Sequence, residues 1–390
     1  MDLLDVNTPE LAREFLLLPV RLYRDSPHWI RPLDSDIESV FDPQKNKTFR
    51  HGKCIRWILR DTGDNTIGRV AAFVNDKTVD KGNKQPTGGM GFFECINDQA
   101  AAFRLFDACR EWLAAHGMQA MDGPINFGNR DRWWGLLVDG FQYEPNYQTN
   151  YNFPYYQQFF EAYGFQVYFN QFTYLRKIKD PLHPRLAEKA EMLAGDPDYS
   201  FRYLKKREFH LLAGYLRSVY NRAWANRAEN PELSQAQADQ IVKQMKPILD
   251  ERLIYFGFYK GDPIAFFISL PELNQIFKHV NGKMNWWGKV QFAYHLFVAK
   301  TNTKAFGILF GVVPEQQGKG ADGAIIMAAR KVLQEEYPRY EDYEMNWIGD
   351  FNPKMINVVE QVGGIISKKH ITYRKLFDPN QPFERHPILK

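Results

Sequence analysis

Hydrophobic positions along the chain follow a helical period in some segments and a strand period in others, and the two alternate throughout. This alternation is typical of a mixed α/β fold with helices flanking a sheet. In the first half it predicts strands at 55–59, 66–74, 91–96, 120–125 and 168–178, and helices at 8–22, 99–116 and 154–163. Residues 26–43 and 126–153 read as loops.

The second half repeats the same order of elements. Its predicted strands are 199–204, 253–259, 263–270, 306–313, 344–348 and 370–376, and its helices are 208–224, 234–249, 320–336 and 353–362. Two prolines among polar residues at 179–184 favour a domain boundary there. We therefore predict two domains, residues 1–180 and residues 181–390.

A constant separation supports an internal repeat. Pro154 and Gly164, which begin and end one helix, lie 199 residues before Pro353 and Gly363, and Thr173-Tyr174 lies 199 before Thr372-Tyr373. Further upstream the separation grows to about 221, because the first half carries about 22 additional residues within 126–153. The pattern predicts two copies of one fold, although helices that begin at Pro and end at Gly are common.

Composition excludes several classes of protein. Aromatic residues make up 15% of the chain, hydrophobic residues 44% and charged residues 25%, which excludes a disordered, collagen-like or coiled-coil protein. A net charge of +4 without a basic run argues against a nucleic-acid partner. No metal site is expected, because Cys54, Cys95 and Cys109 are widely spaced and form no CxxC.

The same features predict the protein's location and partners. An odd number of separated cysteines fits a reducing cytoplasm. The first residues have no basic segment followed by an apolar one, and no window reaches about 18 uncharged apolar residues. We expect a cytoplasmic monomer or homodimer with no membrane partner.

The most informative stretch follows the strand predicted at 306–313. Gly318, Gly320 and Gly323 lie at the beginning of a helix, where backbone N–H groups and the helix dipole favour a phosphate or pyrophosphate. A plain chain reversal is the alternative. The spacing also satisfies GxGxxG, but four residues separate the strand from the first glycine, and Asp350 lies 27 residues beyond Gly323, so we reject a dinucleotide fold.

Residues 312–321 resemble the acyl-CoA-binding loop of the Gcn5-related N-acetyltransferases, in which Arg/Gln-x-x-Gly-x-Gly/Ala follows a splayed fourth strand. Gln317, Gly318 and Gly320 match, whereas Asp322 fills the last small position and Gly323 comes one residue later. The element order of residues 198–378 is also that of the family. The resemblance implies a tandem acetyltransferase-fold protein that uses acetyl-CoA or another acyl-CoA. The cofactor-binding residues it implies are Val312, Val313, Gln317, Gly318, Lys319, Gly320, Ala321 and Asn352.

The first half lacks this loop. Its strand at 91–96 runs through Asn97 and Asp98 into the helix with no glycine, and a carboxylate at that point caps the helix and repels phosphate. We therefore predict that the first half binds no acyl-CoA. Its aromatic loop, residues 126–153, either packs between the halves or lines an acceptor cleft. The same two alternatives apply to Trp286-Trp287 in the second half.

Acyl transfer from a thioester to an amine needs a base, a polarised carbonyl and a proton for the departing thiolate. The backbone at Val312 or Val313 can polarise the carbonyl. Alternation places Glu344 and Asn346 on one strand face, so Glu344 is our candidate base and Asn346 our candidate for orienting the acceptor, unless Glu344 is a solvent-facing strand end. Tyr373 is a candidate proton donor, although its repeat at Tyr174 favours packing.

Glu272 and Asn274 end the second hairpin and are our candidates for binding the acceptor, with turn capping as the alternative. His295 lies among apolar residues and reads as a core histidine. We predict acyl transfer to a small-molecule or peptide amine. A non-catalytic acyl-CoA-binding protein and an aminoacyl-tRNA-dependent transferase remain as alternatives.

Overall fold

The computed structural model describes residues 1–80, 82–224 and 232–389. In the first half, apolar stretches form the strands and amphipathic stretches form the helices that cover them. The strands are β1 (Asp2–Asp5), β2 (Gly52–Arg60), β3 (Thr66–Asn75), β4 (Thr87–Cys95), β5 (Ala120–Gly123), β6 (Leu136–Asp139) and β7 (Gln166–Lys177). The helices are α1 (Pro9–Leu22), α2 (Asp34–Phe41), α3 (Gln99–Ala115) and α4 (Tyr156–Ala162).

The second half repeats this order, after a helix in the connecting segment. Its strands are β8 (Tyr199–Tyr203), β9 (Ile254–Tyr259), β10 (Asp262–Pro271), β11 (Lys304–Val312), β12 (Asp342–Gly349) and β13 (Ile365–Leu376). The helices are α5 (Pro184–Ala194), α6 (Leu212–Trp224), α7 (Gln235–Met245), α8 (Asn274–Phe277), α9 (Trp286–Ala293), α10 (Ala321–Lys331) and α11 (Pro353–Gln361).

All strands belong to one mixed sheet. The order along the sheet is β1-β2-β3-β4-β5-β13-β7-β12-β11-β10-β9-β8, and β6 pairs with β13 beside this path. The mixed α/β fold predicted from the sequence is therefore confirmed. The boundary predicted near residue 180 falls between β7 and α5. The division into domains 1–180 and 181–390 stays a prediction, and we use the two ranges below as the first and second halves of the chain.

The two halves exchange their last strands. β13 from the second half lies beside β5 of the first, and β7 from the first half lies beside β12 of the second. Both strands keep the separation of 199, since β7 begins at Gln166 and β13 at Ile365. Neither half contains a complete sheet of its own, because each needs a strand from the other.

Several predicted loops contain regular structure. The proline-punctuated stretch at 26–43 includes α2, and the aromatic loop includes β6, which the sequence pattern did not show. The connection between β10 and β11 contains α8, α9 and a π-helical turn at Tyr294–Val298. Along the described chain, no helix has the length and apolar character needed to cross a bilayer.

Candidate functional site

In the second half, the parallel strands β11 and β12 diverge to form a cleft. They pair from Lys304–Asp342 to Gly307–Met345 and then separate. Most of β11 at this point is only half-buried, and so are Met345 to Trp347 on β12. The β11/β12 cleft is thus bounded by largely apolar side chains that a ligand can reach. The half-buried apolar residues of the two strands here are Phe306, Ile308, Leu309, Phe310, Met345 and Trp347.

The glycine-rich loop lies at the end of β11 and leads into α10. Gly318 and Gly320 have φ values of 75° and 100°, a left-handed conformation that glycine adopts without steric cost. Within the described part of the chain, the backbone amides of residues 318–323 donate no hydrogen bond to a protein acceptor. These amides are available to an anion, and the positive end of the helix dipole lies beside them.

Contacts on both sides hold this loop in place. The Gln317 side chain donates through Nε2 to the Val312 carbonyl at 2.9 Å, and the Tyr199 hydroxyl donates to the Gln316 side chain at 2.9 Å. A Cβ added at Gly320 would lie 3.0 Å from the Lys189 carbonyl oxygen of α5. Gln317 therefore shapes the loop through its side chain, and Gly320 is required by the close approach of α5.

The two valines at the end of β11 differ in their hydrogen bonding. The Val313 amide donates to the Ile264 carbonyl of β10 at 2.9 Å. In an antiparallel ladder the neighbouring Val312 amide then points away from β10, toward the cleft. Of the two candidates for polarising a carbonyl, Val312 alone has an amide directed into the cleft.

The remaining loop residues have other surroundings. Ala321 is buried in the core of the second half, whereas Lys319 is exposed. Asn352 caps α11, because its side chain accepts a hydrogen bond from the Met355 amide at 3.3 Å. Of the predicted cofactor residues, Lys319 alone has an exposed charged side chain, so most of the contacts offered to a phosphate come from the backbone.

In the first half the corresponding strand is buried and the corresponding helix is capped. Every residue of β4 is buried, and a Cβ at Gly91 would lie 1.9 Å from the Ile125 carbonyl oxygen. The Asp98 carboxylate caps α3 by accepting from the amides of Ala100 at 2.8 Å and Ala101 at 3.1 Å. The predicted cap is confirmed, and it occupies the amides that an anion would need.

Glu344 lies at the centre of a buried ion cluster. Its carboxylate accepts from the Lys304 Nζ at 2.7 Å, from Lys368 and from the Ser367 hydroxyl at 3.3 Å. Burial would raise the pKa of Glu344, but Lys368 and Lys304 hold it below its ordinary value. A carboxylate with a lowered pKa and two lysine partners is a weak base, so this geometry favours a structural role.

Glu272 and Asn274 hold the aromatic loop against the second half. The Glu272 carboxylate accepts from the amides of Tyr147 at 2.8 Å, Asn274 at 3.2 Å and Gln275 at 3.1 Å. The Asn274 side chain donates to the Pro145 carbonyl at 2.8 Å. Both are buried and hydrogen-bonded to protein backbone groups, as the alternative role in turn capping predicts.

The strand exchange moves Tyr373 away from the cleft. Tyr373 lies in the core of the first half, and its hydroxyl donates to Glu161 of α4 at 3.0 Å. Its repeat, Tyr174, packs against α11 of the second half. Met355 and Ile356, at the start of α11, pack against the same apolar cluster as Tyr174. Burial raises the pKa of Tyr174, and Glu360, the repeat of Glu161 near the end of α11, adds to that rise.

Asn346 is half-buried on β12, and its side-chain oxygen accepts from the neighbouring Trp347 amide at 2.9 Å. It lies just beyond the last β11–β12 pair, where the strands diverge. Of the three predicted catalytic residues, Asn346 is therefore the one whose backbone borders the cleft.

Sequence reasoning missed a buried polar cluster in the first half. The Glu94 carboxylate accepts from the hydroxyls of Tyr23 at 2.7 Å and Tyr156 at 2.9 Å, and Arg69 lies 3.7 Å away. Burial raises the pKa of Glu94. Glu94 and Arg69 border a cavity of about 60 Å³, whose wall includes Thr149 to Asn152 of the aromatic loop.

The repeat could have drawn attention to this cluster. Tyr156 lies 199 residues before Met355 and therefore occupies the helix start in the first half. The Cys95 amide donates to its hydroxyl at 2.8 Å, so the ring fills the space beside β4. The half with a tyrosine at this position is thus the half in which Asp98 caps the helix after β4.

No model of a known protein family matches the chain. The bacterial ceramide synthase of Caulobacter vibrioides is 24% identical over 378 residues, which cover 96% of this chain and 97% of that protein. The two thus match over nearly their full lengths.

Two solved structures share the fold. One is a glucosamine N-acetyltransferase region of a fungal multi-domain β-N-acetylglucosaminidase, with a TM-score of 0.54 and 12% identity; the match covers 96% of this chain and 38% of that longer one. The other is a tandem Gcn5-related N-acetyltransferase protein from the clavulanic acid biosynthesis pathway, with a TM-score of 0.53 and 13% identity over 97% of this chain and 99% of that one. The chain is therefore a tandem two-domain protein of the Gcn5-related N-acetyltransferase fold.

Proposed function

We propose that this protein is an acyl-CoA-dependent N-acyltransferase whose second half binds acyl-CoA. The observation that carries the proposal is the difference between the halves. In the second half the diverging strands β11 and β12 lead to a helix start with unbonded amides, whereas in the first half the corresponding helix is capped by Asp98. Among the described residues, the second half therefore combines a partly exposed strand end with backbone donors for a pyrophosphate.

In the proposed reaction, separate groups of the second half would bind the pyrophosphate and polarise the thioester carbonyl. The amides of residues 318–323 would hold the pyrophosphate, and Lys319 would add a positive charge. The Val312 amide would donate to the carbonyl oxygen and stabilise the charge that develops there. Acyl-CoA supplies an activated thioester, in which the carbonyl carbon forms a bond to the amine nitrogen as the bond to sulfur breaks.

Proton transfer would depend on water in the open cleft. The amine must lose a proton and the thiolate must gain one, but Met355 and Ile356 at the start of α11 can do neither. Glu344 is held as a carboxylate by two lysines. We therefore propose that water accepts the proton that the amine loses and supplies the proton that the thiolate gains.

We further propose that the acceptor is a long-chain lipid amine. The relative named bacterial ceramide synthase aligns over nearly the whole chain, and a ceramide is the N-acylated form of such an amine. The half-buried apolar residues of β11 and β12, including Ile308, Phe310 and Trp347, suit an acyl chain longer than acetyl.

Two measurements test this function. Calorimetry with CoA, acetyl-CoA and palmitoyl-CoA tests binding, and we expect palmitoyl-CoA to bind at least ten times more tightly than acetyl-CoA. Release of free thiol is then followed with sphinganine and with short amines as acceptors, and the amide product is identified by mass spectrometry. We expect turnover with palmitoyl-CoA and sphinganine.

The possible outcomes are distinct. Failure of CoA and both acyl-CoA esters to bind would overturn the cofactor assignment. Binding without thiol release for any amine would instead support a non-catalytic acyl-CoA-binding protein. Turnover with short amines but not with sphinganine would keep the transferase and reject the lipid acceptor.

A further inference from the structure

An apolar surface lies on the connection between β10 and β11, outside the cleft. The segment 286–298, made of α9 and the π-helical turn, contains six of the twelve exposed large apolar side chains found among the described residues. Trp286 is 76% exposed, Phe297 64% and Val298 69%. The other three are Trp287, Val290 and Tyr294. A patch of this kind on a folded protein marks an interaction site.

The opposite side of the segment is firmly packed, so the exposure is not a consequence of loose attachment. Phe292 stacks on Phe277 with ring centroids 5.3 Å apart, and Leu296 is buried. The Arg339 guanidinium donates to the Leu296 carbonyl at 3.1 Å. A Cβ at Gly288 would lie 2.0 Å from the Lys283 carbonyl oxygen, so this helix fits closely against its own connection.

The charges along this stretch of the chain have one sign. No aspartate or glutamate occurs between Glu272 and Glu315, whereas the same stretch contains five lysines. Lys283, Lys289 and Lys300 are exposed, and none of the three forms an ion pair with any described residue. Positive side chains thus precede, interrupt and follow the aromatic ones along the chain, with no carboxylate from the same stretch to neutralise them.

We propose that the segment 286–298 is an interfacial element that docks on an anionic lipid surface. Tryptophan and tyrosine favour the boundary between headgroups and acyl chains, phenylalanine and valine enter the apolar layer, and lysines pair with anionic headgroups. Thirteen helical residues are too short to span a bilayer of about 30 Å, so the element lies in the surface. A partner protein is disfavoured, because protein interfaces are depleted in lysine.

This proposal replaces the expectation from the sequence that the chain has no membrane partner. That expectation depended on the absence of a spanning segment, and an interfacial helix does not need one. Docking goes beyond the proposed function and does not depend on it, since lipid binding requires no acyl-CoA. If both hold, the surface supplies the lipid amine to the same half that binds the acyl donor.

Sedimentation with vesicles tests the proposal. The full-length protein is mixed with vesicles of phosphatidylcholine alone or with one quarter phosphatidylglycerol. We expect at least tenfold more bound protein on the anionic vesicles, with a blue shift of tryptophan emission. The double variant Trp286→Ser/Phe297→Ser should lose at least tenfold in binding, and Lys289→Gln/Lys300→Gln should weaken binding and its salt dependence.

The matched control is Met192→Ser/Ile388→Ser, which removes two similarly exposed apolar side chains elsewhere (70% and 68%). It should bind vesicles like the unmodified protein. The proposal would be overturned if the unmodified protein did not bind anionic vesicles. It would also be overturned if Met192→Ser/Ile388→Ser lost as much binding as Trp286→Ser/Phe297→Ser. A dimer in light scattering that Trp286→Ser/Phe297→Ser converts to a monomer, without vesicle binding, would assign the patch to a second copy instead.

Discussion

Gln171 and His370 lie directly opposite each other where β7 pairs with β13, although 199 residues separate them. Because 199 is also the repeat separation, each is the counterpart of the other. An approximate twofold axis therefore passes between them. The two halves are related across this pair of exchanged strands, which is the centre of the whole sheet.

The exchange predicts that the first half cannot fold without the end of the chain. Deleting residues 365–390 removes β13 from between β5 and β7, leaving two strand edges exposed in the middle of the sheet. We expect loss of the cooperative melting transition and rapid proteolysis within residues 52–177. Circular dichroism and limited proteolysis measure this.

The control deletion removes residues 378–389 and leaves β13 intact. It should melt within a few degrees of the full chain. A first half that stays protected from protease after the longer deletion would contradict the structural importance of the exchange.

The pair also predicts a pH dependence of stability. Burial lowers the pKa of His370 to about 4, and its Nε2 lies 3.0 Å from the Asn150 carbonyl. Below about pH 6.5 the unfolded chain takes up a proton that the folded chain does not, so stability falls as the pH falls toward 4. This side chain accounts for about 3 kcal/mol of that loss.

His370→Gln, which copies its counterpart Gln171, should remove this contribution. Urea unfolding at pH 7, 5.5 and 4.5 would show a smaller loss for the variant than for the unmodified protein. Equal losses in both would refute the assignment to His370.

The ion cluster predicts that Glu344 is needed for stability. Glu344→Gln leaves Lys304 and Lys368 buried without their partner, and breaking such a pair costs about 3–5 kcal/mol. The lowered pKa gives the sign: the contribution is present above the unfolded pKa and is lost as the pH falls through the folded one. Urea unfolding at pH 7 measures the loss.

A catalytic Glu344 would behave differently. Glu344→Gln would then abolish turnover at a temperature where the variant is still folded, and the pH–rate profile of the unmodified protein would contain its pKa. We expect instead that the folded fraction of the variant retains turnover. Adding Lys368→Met should restore part of the stability, because it removes one unpaired charge.

The glycine-rich loop predicts a local effect on CoA binding. Gly318→Leu places a side chain among the amides that would hold the pyrophosphate, and we expect at least tenfold weaker CoA binding. Gly261→Leu is the matched control, because Gly261 has a similar left-handed φ of 87° and equally open surroundings. Both variants should lose similar stability, measured by urea unfolding, but calorimetry should show weaker CoA binding in the first alone.

Local chemistry made much of this molecule predictable. Strand and helix periods gave most elements, and Pro-Gly punctuation gave the repeat, because these signals depend on residues close together in the chain. The Asp98 cap and the left-handed glycines of the loop were predictable for the same reason. α2 was missed because prolines precede it, and β6 was missed because aromatic loop residues surround it.

Long-range packing decided the rest. Nothing in the spacing of Tyr174 and Tyr373 shows that their strands exchange, since the two strands have equal lengths and similar patterns. Glu344 became part of an ion cluster because Lys304 and Lys368 come from other strands. Sequence alone thus indicated two copies of one fold and a glycine-rich loop at a helix start in the second copy. The tertiary structure determined how each half packs beside its diverging strands, because that depends on contacts between residues far apart in the sequence, such as the close approach of the Ile125 carbonyl to Gly91.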